Sequence, residues 1–407
     1  MKCRHCKNLL ENTFLNLGFA PPSNAYLNED ALYRPERYYP LKVSVCNNCW
    51  LVQTQDYTQA DELFSPDYAY FSSTSTSWLA HAKHYTEAMI ARLGLNETSY
   101  VIEVACNDGY LLKNFLAAGI PCLGVEPTAS TAAAAEQLQI PILREFFGAE
   151  VGKKLAFRGK KADLIIGNNV YAHVPDINDF TLGLKAALKP SGTLTLEFPH
   201  LMELIEHTQF DTIYHEHFSY LSLHSVSCIF ESAGLRIFDV EQIPTHGGSL
   251  RVFGCHVDDP RQNTKMVQTL HAREIQQGLQ SLDAYNNFQD QANRVKNDLL
   301  DFLIEQKRAG KKVIAYGAAA KGNTLLNFAG VKPDLLPFVC DAASSKQGKF
   351  MPGSHIPILP PSVLTDFNPD FVVILPWNIA EEITSQLESL VTKNTKFVTA
   401  VPRLQIT

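Results

Sequence analysis

The sequence predicts an α/β protein in three parts: a small cysteine-containing N-terminal module, a larger α/β domain and a smaller α/β domain. Apolar runs alternate with helical stretches from about residue 99 to 255, which is typical of a mostly parallel sheet covered on both faces. A second strand–turn–helix unit opens at residue 311, and two Cys-x2-Cys pairs enclose the start of the chain. We expect domain boundaries at 1–60, 61–260 and 261–407.

Composition limits the classes of function. The chain has 407 residues and 45% apolar residues, enough for two or three domains with sizeable cores. A formal net charge of −7 disfavours chain-wide attraction to nucleic acid or anionic membranes. No apolar run reaches the roughly 18 residues of a membrane span, and no apolar signal segment follows the N-terminal residues. We therefore expect a cytoplasmic protein without nucleic-acid or membrane partners. We also expect a monomer, although the sequence carries no direct signal of oligomeric state.

The N-terminal module is defined by its cysteines. Four of the nine cysteines form the two pairs, at Cys3, Cys6, Cys46 and Cys49. Cytoplasmic thiols stay reduced, so close spacing indicates a metal rather than disulfides. Two such pairs supply the four thiolates of a tetrahedral Zn²⁺ and leave no open coordination position, which predicts a structural zinc ion. The alternative is four unrelated reduced cysteines.

The central domain follows a loop rich in Ser, Thr and Tyr and a helix from Trp78 onward. Its predicted strands are Tyr100–Val104, Cys122–Val125, Ile140–Leu143, Asp163–Ile166, Thr193–Phe198, Arg236–Val240 and Ser249–His256. The last of them would suit an antiparallel final strand.

A nucleoside site is predicted where the first two of these strands end. The first strand carries Glu103 and leads through a tight turn into a helix, which brings backbone N–H groups to the carboxyl edge of the sheet. Only Gly109 is a glycine in this turn, so the dinucleotide fingerprint is absent. Glu126 ends the next strand, where a carboxylate accepts hydrogen bonds from the ribose hydroxyls of an adenosine ligand. The alternative is a generic α/β turn with a solvent-facing glutamate.

Further side chains follow the third and fourth strands at the same edge. Phe146 and Phe147 lie where an adenine ring would need an apolar wall, although phenylalanines in such positions are more often core residues. Asn168 and Asn169 end the fourth strand, close in sequence to His173. Open α/β sheets bind their ligands at this edge.

The segment Tyr214–Tyr220 reads Tyr-His-Glu-His-Phe-Ser-Tyr. Its ionisable groups suit proton transfer near neutral pH. Metal binding by the His-x-His pair and a hydrogen-bonded structural role are open alternatives. In an extended strand, His215 and His217 would share one side and Glu216 would face the other.

The C-terminal part begins with a polar, amphipathic stretch over 262–308 that predicts one or two helices. The strand–turn–helix unit at 311–317 and the apolar runs Leu335–Cys340, Phe371–Leu375 and Lys396–Val401 predict a smaller α/β domain. The turn at 317–322 lacks the spacing of an NAD-binding turn, so a redox role is weakly supported.

Together these segments resemble the sugar C3-methyltransferases, which make branched deoxysugars of the tetronitrose and mycarose type. The resemblance runs end to end and rests on the four cysteines and on Glu103–Leu112, Asn169–Asp176, Tyr214–Ser222, Gly247–Phe253 and Tyr316–Asn323. It implies a zinc module, a central class I methyltransferase domain of Rossmann-like fold that binds S-adenosylmethionine, and a C-terminal Rossmann-like domain that helps to hold a nucleotide-sugar. Cys106 stands where Ser is usual and Phe218 where Tyr can occur.

The resemblance also implies roles for individual residues. The catalytic set comprises the general base His217 with Glu216, Tyr214, His173 and Tyr68. The S-adenosylmethionine site comprises Glu103, Ala105, Asn107, Gly109, Leu111, Glu126, Pro127, Phe146, Phe147, Asn168 and Asn169. The substrate site comprises Tyr70, Arg251, Tyr316, Lys321 and Asn323.

The implied reaction is methylation at C3 of a TDP- or GDP-linked 4-keto-6-deoxysugar through a base-generated enolate. An O- or N-methyltransferase acting on a small metabolite is the alternative, because the cofactor site is common to both. A zinc protein that binds nucleic acid is disfavoured by the acidic charge balance.

Overall fold

A computed structural model describes residues 1–55, 72–74 and 76–407 of the protein. Within this part of the chain, the strands form three β-sheets of four, seven and six strands, with helices packed against them. The predicted α/β class with a small N-terminal module is confirmed.

The elements are numbered along the described residues. The strands are β1 (Asn12–Ala20), β2 (Tyr39–Val45), β3 (Val52–Thr54), β4 (Val101–Val104), β5 (Cys122–Val125), β6 (Ile142–Leu143), β7 (Ala162–Asn168), β8 (Leu188–Pro199), β9 (Ser219–Tyr220), β10 (Leu235–Ile243), β11 (Ser249–His256), β12 (Val313–Tyr316), β13 (Val339–Cys340), β14 (Ile358–Leu359), β15 (Phe371–Ile374), β16 (Lys396–Thr399) and β17 (Gln405–Ile406).

The α-helices are α1 (Thr76–Leu93), α2 (Leu112–Ala117), α3 (Ala129–Gln137), α4 (Ala149–Phe157), α5 (Ile177–Ala187), α6 (Leu201–Glu206), α7 (Leu223–Ala233), α8 (Lys265–Gln276), α9 (Asp283–Asn286), α10 (Phe288–Arg308), α11 (Ala320–Ala329), α12 (Val363–Phe367) and α13 (Ala380–Leu387). Short 3₁₀ helices cover Glu29–Tyr33, Ser72–Thr74, Tyr171–His173, Phe210–Thr212, Thr245–Gly247 and Trp377–Ile379.

The central sheet has the order β10-β11-β8-β7-β4-β5-β6. Strands β4 to β8 run parallel, and β11 is antiparallel to both of its neighbours, as the sequence predicted for the final strand. This is the arrangement expected of a class I methyltransferase domain. The loops after β4, β5, β7, β8 and β10 therefore meet at one side of the sheet, here called the carboxyl edge.

Alternating burial explains why both faces of this sheet are covered. Along β7, Ile165 points into one apolar cluster, whereas Leu164 and Ile166 point into the other. Helix boundaries follow local sequence signals. Helix α7 begins at a capping box formed by Ser222 and Ser225 and ends at Gly234, whose φ of 74° favours glycine.

The N-terminal sheet was not predicted. Strands β1, β2 and β3 form an antiparallel sheet, and β9, from the central part of the chain, pairs with β3. The histidine-containing segment that precedes β9 is thereby tied to the cysteine module.

The C-terminal sheet has the order β14-β13-β12-β15-β16-β17, with only β17 antiparallel. The predicted strands of this domain are present, whereas β14 and β17, of two residues each, were not predicted. The one or two helices predicted over 262–308 are three, α8, α9 and α10. No helix in the described ranges has the length and apolar character needed to cross a membrane.

Candidate active site and metal centre

The two cysteine pairs have the same local geometry. The residue after each pair, Lys7 or Trp50, has a left-handed backbone with φ of 63° or 56°. Its N–H donates to the carbonyl of the pair's first cysteine, at 3.1 Å for Cys3 and 2.9 Å for Cys46. Each pair is therefore folded into a tight turn that aims both sulfurs in one direction. We call the two turns the cysteine knuckles.

The knuckles bring four sulfurs together. All four Sγ atoms lie within 4.8 Å of one another, with Cys3–Cys49 at 3.6 Å and Cys6–Cys46 at 3.5 Å. Zn–S bonds of about 2.3 Å in a tetrahedron place sulfurs about 3.8 Å apart, so this set fits a zinc ion. Gln53 donates from Nε2 to Cys3 Sγ at 3.2 Å, an outer hydrogen bond of the kind that orients metal ligands.

Arg4 connects the first knuckle to other parts of the protein. Its guanidinium donates to the carbonyls of Pro175, at 2.7 Å, and Thr54, at 3.1 Å. It also lies over the ring of Phe218, 5.3 Å from the centroid. Pro175 and Phe218 lie near the two predicted catalytic histidines in sequence.

The predicted cofactor turn after β4 contains three left-handed residues, Ala105, Asn107 and Gly109, with φ of 56°, 51° and 79°. Glu126, at the end of β5, holds this turn, because its Oε2 accepts from Asn107 N and its Oε1 from Thr128 N, both at 2.9 Å. Each carboxylate oxygen has a second acceptor position, so these bonds leave capacity for hydroxyl donors.

Several buried polar atoms at the carboxyl edge have no hydrogen-bond partner among the described residues. They are Glu103 Oε2, Asp108 Oδ1, Asn169 Oδ1 and both polar atoms of the Asn168 side chain. Burial, with Glu126 and Asp108 nearby, raises the pKa of Glu103 well above its usual value. Unpartnered buried polar atoms are costly, so their grouping indicates a polar ligand. The hydroxyl, amino and carboxylate groups of S-adenosylmethionine fit this set.

The remaining residues predicted for the cofactor differ in exposure. Leu111 is fully buried in an apolar cluster, so a ligand could reach its backbone but not its side chain. Phe147 packs edge-to-face on Phe180 at 5.4 Å, whereas Phe146 is 57% exposed. Pro127 is half-buried.

The histidine segment forms a turn rather than a strand. His217 N donates to Tyr214 O at 3.0 Å, so Tyr214–His217 is a tight turn and the strict alternation of sides does not apply. The ring of His217 lies 4.1 Å from that of Tyr214 and 4.6 Å from that of His173, measured between centroids. The predicted base, tyrosine and second histidine are therefore adjacent.

Backbone carbonyls fix the tautomers of both histidines. Nδ1 of His217 donates to Thr212 O, and Nδ1 of His173 donates to Glu216 O, each at 2.9 Å. Because a carbonyl only accepts, the proton is on Nδ1 and Nε2 carries the lone pair in each neutral ring. Burial lowers the pKa of His173 to about 4 and the pKa of His217 well below its usual value. Both rings are neutral at pH 7, as a base must be.

The carboxylate of Glu216 contacts the N-terminal module. Asn24 Nδ2 donates to both of its oxygens, at 2.9 and 2.8 Å. Close to Asn24 in sequence, Ser23 O accepts from Asn323 Nδ2 at 2.6 Å and Tyr26 Oη donates to Ala318 O at 2.5 Å. All three parts of the chain therefore meet beside the histidines.

The C-terminal part contributes a polar cluster around Lys321. Its Nζ donates to Asn378 Oδ1 at 2.6 Å and lies 4.7 Å from the Trp377 ring centroid. Trp377 Nε1 donates to Asp211 Oδ2 at 2.8 Å, and burial raises the pKa of Asp211 to about 6. Asp211 Oδ1 and Asn323 Oδ1 are buried without a partner in the part of the chain that the structure describes.

Comparisons with known proteins decide the family. Three family models match, the "Putative zinc binding domain" over residues 3–64, the "Methyltransferase domain" over 78–240 and the "C-methyltransferase C-terminal domain" over 244–402. The C-methyltransferase NovU of Streptomyces niveus is 34% identical over 405 residues, which is 100% of this chain and 96% of NovU. The chain belongs to the S-adenosylmethionine-dependent C-methyltransferase family.

Solved structures are also similar to part of this C-methyltransferase. Magnesium protoporphyrin IX methyltransferase ChlM of Synechocystis PCC 6803, with bound SAH, is 16% identical and matches over 44% of this chain and 83% of its own, with a TM-score of 0.35. The PH0226 protein of Pyrococcus horikoshii OT3 is 15% identical over 49% of this chain and 100% of its own, with a TM-score of 0.38.

In the C-methyltransferase, Arg251, one of the predicted substrate residues, is bonded to other residues of the protein. Arg251 forms ion pairs at 2.8 Å with Glu197 and Glu241 and lies over the Tyr85 ring. Burial alone would raise the pKa of Glu197, but His81 and Arg251 lower it to about 2. Arg251 is thus engaged within the protein, and its contact with substrate stays a prediction.

Tyr316 is buried at the end of β12, where burial raises its pKa. Its contact with substrate likewise stays a prediction. Tyr68 and Tyr70 lie outside the described residues.

Sequence reasoning missed four residues of this site: Arg4, Asn24, Asp211 and His246. Asp211 lies just before the predicted histidine segment, and His246 follows β10 in Pro-Thr-His-Gly-Gly, directly before the Gly247–Phe253 motif. A histidine beside two glycines at the carboxyl edge was a usable signal. Arg4 and Asn24 had none, because Pro175 and Glu216, which place them at the site, are more than 150 residues away from them in sequence.

Proposed function

We propose that this C-methyltransferase methylates C3 of a TDP- or GDP-linked 4-keto-6-deoxysugar. The observation that carries the proposal is the adjacent pair His173 and His217, both neutral and both with the lone pair on Nε2. A carbon acceptor must first lose a proton, and such a ring nitrogen is a suitable base. The match to C-methyltransferases disfavours the alternative of an oxygen or nitrogen acceptor.

In this proposal, His217 Nε2 removes the proton from C3. The adjacent C4 ketone makes that proton acidic, because the charge left on carbon spreads onto the C4 oxygen as an enolate. The Tyr214 hydroxyl, beside the His217 ring, is a donor for this oxygen. Neutral His173 is less suited to that role, since its proton is on Nδ1 and directed at Glu216 O.

The cofactor's contribution is an electrophilic methyl group for the enolate carbon, supplied by S-adenosylmethionine when it is bound. The residues of the chain hold the cofactor in position for this transfer. Glu126 holds the turn at Asn107, and Asn168 and Asn169 offer unpartnered polar atoms beside the loop that carries His173.

The nucleotide of the substrate is proposed to lie against the C-terminal turn Tyr316–Asn323. Lys321 supplies positive charge for a phosphate, and the N-terminal end of α11 supplies backbone N–H groups. Binding energy from this remote group would position the sugar ring at His217. The three-domain division and a monomeric enzyme remain part of the proposal.

A solvent-exchange assay tests the proposed function. A panel of TDP- and GDP-linked 4-keto-6-deoxysugars is incubated in D₂O with enzyme, first without S-adenosylmethionine. We expect deuterium at C3 of the true substrate and, after the cofactor is added, a methyl group at C3, read by mass and by NMR position. A methyl group found on oxygen or nitrogen, with no exchange at any ring carbon, would contradict the proposal.

A further inference from the structure

His246 occupies a constrained position at the carboxyl edge. It lies in the loop between β10 and β11, next to the end of β8, because Ser249 pairs with Pro199. Its backbone is left-handed, with φ of 56° and ψ of 21°, which is uncommon for a residue other than glycine. Such conformations persist where the surroundings hold them, and they cluster at functional sites.

Both sides of His246 are held by hydrogen bonds. Thr245 Oγ1 donates to Glu197 Oε1 at 3.1 Å, and Gln209 Nε2 donates to Gly247 O at 2.6 Å. Glu197 is itself fixed by its ion pair with Arg251. The loop is therefore anchored to β8 and to the segment after α6, and the imidazole is held in one place.

His246 has the same tautomer as the two other histidines, but in His246 it is Nε2 that is engaged within the protein. Asn169 Nδ2 donates to His246 Nε2 at 3.1 Å. Because an amide NH₂ only donates, Nε2 is the acceptor and the proton of the neutral ring is on Nδ1. Burial lowers the pKa of His246 to about 4, so the ring is neutral at pH 7. No described residue accepts the Nδ1 proton.

The Asn169 contact places His246 beside the base. Asn169 and His173 belong to the same short loop after β7, and His173 contacts His217 ring to ring. The positive charge of Lys321 disfavours protonation of both His217 and His246, so these three side chains are neighbours. In His173 and His217 the Nδ1 proton is thus bound by a backbone carbonyl, whereas in His246 the Nδ1 proton has no acceptor among the described residues.

We propose that His246 is a further catalytic residue, whose Nδ1–H donates to the C4 oxygen of the bound keto-sugar and stabilises the enolate. This rests on the proposed function. In the step, the C3–H bond breaks, the proton goes to His217 Nε2, and the electron pair forms the C3–C4 double bond while the C4 oxygen becomes anionic. His246 keeps its proton throughout and supplies a hydrogen bond, the role of an oxyanion-hole donor.

The test uses His246→Asn. Asparagine adopts the left-handed conformation readily, so the loop should keep its shape while the ring is lost. We expect kcat and the rate of C3 deuterium exchange without S-adenosylmethionine to fall together by about 10²–10³-fold. Cofactor affinity by calorimetry and the melting temperature should remain near those of the wild type.

The matched control is His355→Asn. His355, in the C-terminal part, is also left-handed, with φ of 57°, but its Nε2 lies 2.8 Å from Oε2 of Glu36 in the N-terminal module. Its substitution should leave both rates unchanged. His246→Gly provides a second variant if His246→Asn folds poorly, because glycine accepts this backbone at no steric cost.

Two failures are distinguishable. If the wild-type enzyme exchanges no C3 deuterium with any keto-sugar of the panel, the proposed function fails. If the wild type exchanges and His246→Asn exchanges equally fast, the proposed function stands and the role of His246 is overturned. Weakened cofactor binding with normal exchange would also overturn it, by assigning His246 to the cofactor.

Discussion

The cysteine knuckles and the carboxyl edge are both built for ligands, yet their polar groups are arranged differently. At the knuckles, two identical turns aim four sulfurs at one point, and Gln53 satisfies one of them from outside. At the edge, buried polar atoms of Glu103, Asp108 and Asn168 have no partner within the described ranges. A site for a permanent ion is completed by the chain, whereas a site for exchanging ligands leaves its hydrogen bonds for the ligands to complete.

This difference predicts how the two regions respond to substitution. A change at the knuckles should reduce stability and leave turnover of the folded protein nearly intact. A change at the carboxyl edge should reduce turnover or cofactor affinity and leave stability nearly intact.

The largest expected effect is on turnover and follows from His217→Ala. Loss of a general base lowers rates by about 10²–10⁴-fold. The variant should fold, melt near the wild-type temperature and bind S-adenosylmethionine normally. On the same preparation, kinetics measures the rate and calorimetry measures cofactor affinity and the melting temperature.

His215→Ala is the control for this variant. His215 belongs to the same turn, but its Nε2 is directed at Tyr39 O, 3.3 Å away. Its loss should therefore affect the rate much less. Near-normal turnover in His217→Ala, with activity abolished in His173→Ala or Tyr214→Phe, would show that the base is another residue.

The pH profile sharpens the assignment of His217. Its pKa is held well below the usual histidine value by burial and by nearby His173. A base works unprotonated, so kcat should stay constant as pH falls from 8 through about 6.5 and decline only at lower pH. A decline centred near 6.5 or above would indicate a different, solvent-exposed base.

Cys46→Ser should have its main effect on stability. Structural zinc binding contributes about 10–16 kcal/mol in isolated zinc-finger peptides, so losing a ligand should remove the ion and much of the soluble yield. Protein that remains folded should turn over nearly normally. Elemental analysis and thermal unfolding measure the loss, with Cys228→Ser, a half-buried cysteine outside the knuckles, as control. Stoichiometric zinc in Cys46→Ser, or none in the wild type, contradicts the assignment.

The sequence predicted correctly those features that depend on residues close together in the chain. The central strands, the turn at Glu103–Gly109 and the knuckles depend on patterns within about a dozen residues, and all are present. What escaped prediction depends on distant pairing. Strand β9 joins the N-terminal sheet only because Tyr220 pairs with Val52, and no local pattern encodes that contact.

For the predicted site residues too, the residue identity was readable from the sequence, whereas the contacts that set its chemistry come from the fold. His173 and His217 were identifiable by residue type and motif, but their tautomers depend on the carbonyls of Glu216 and Thr212, which only the fold supplies. Arg251 stands in a recognisable motif, yet its ion pair with Glu197 reflects the pairing of β11 with β8.

The third prediction returns to the carboxyl edge. Glu126→Ala removes a carboxylate that holds Asn107 N and that we expect to contact the ribose, and charge-assisted hydrogen bonds contribute about 1.5–3 kcal/mol. Calorimetry should show S-adenosylmethionine affinity reduced about tenfold or more. Glu145→Ala, which loses only a surface pair with Lys154, is the control. Unchanged affinity in Glu126→Ala would exclude Glu126 as the ribose ligand.

The smallest predicted effect tests whether the two regions are separate at all. Arg4 lies inside the first knuckle but donates to Pro175 O and Thr54 O. Thr54 Oγ1 donates to His217 O at 3.1 Å, and Phe218 N donates to Ala172 O at 2.8 Å. The segments that Arg4 contacts are therefore bonded to those that carry His217 and His173, the two proposed catalytic histidines. Arg4→Lys keeps the charge and loses the forked geometry.

Losing one such hydrogen bond should lower the free energy of unfolding by about 1 kcal/mol. If the same loss displaces the histidines, kcat should fall by about fivefold. Zinc content and cofactor affinity should stay unchanged. The control is His5→Ala in the same knuckle, which loses the bond to Asn178 on α5 but no contact with the histidine segments. A lower melting temperature with unchanged kcat in Arg4→Lys would show that the knuckle only stabilises the fold. A lower kcat with full zinc in Arg4→Lys, and an unchanged kcat in His5→Ala, would show that the metal module also positions the proposed base.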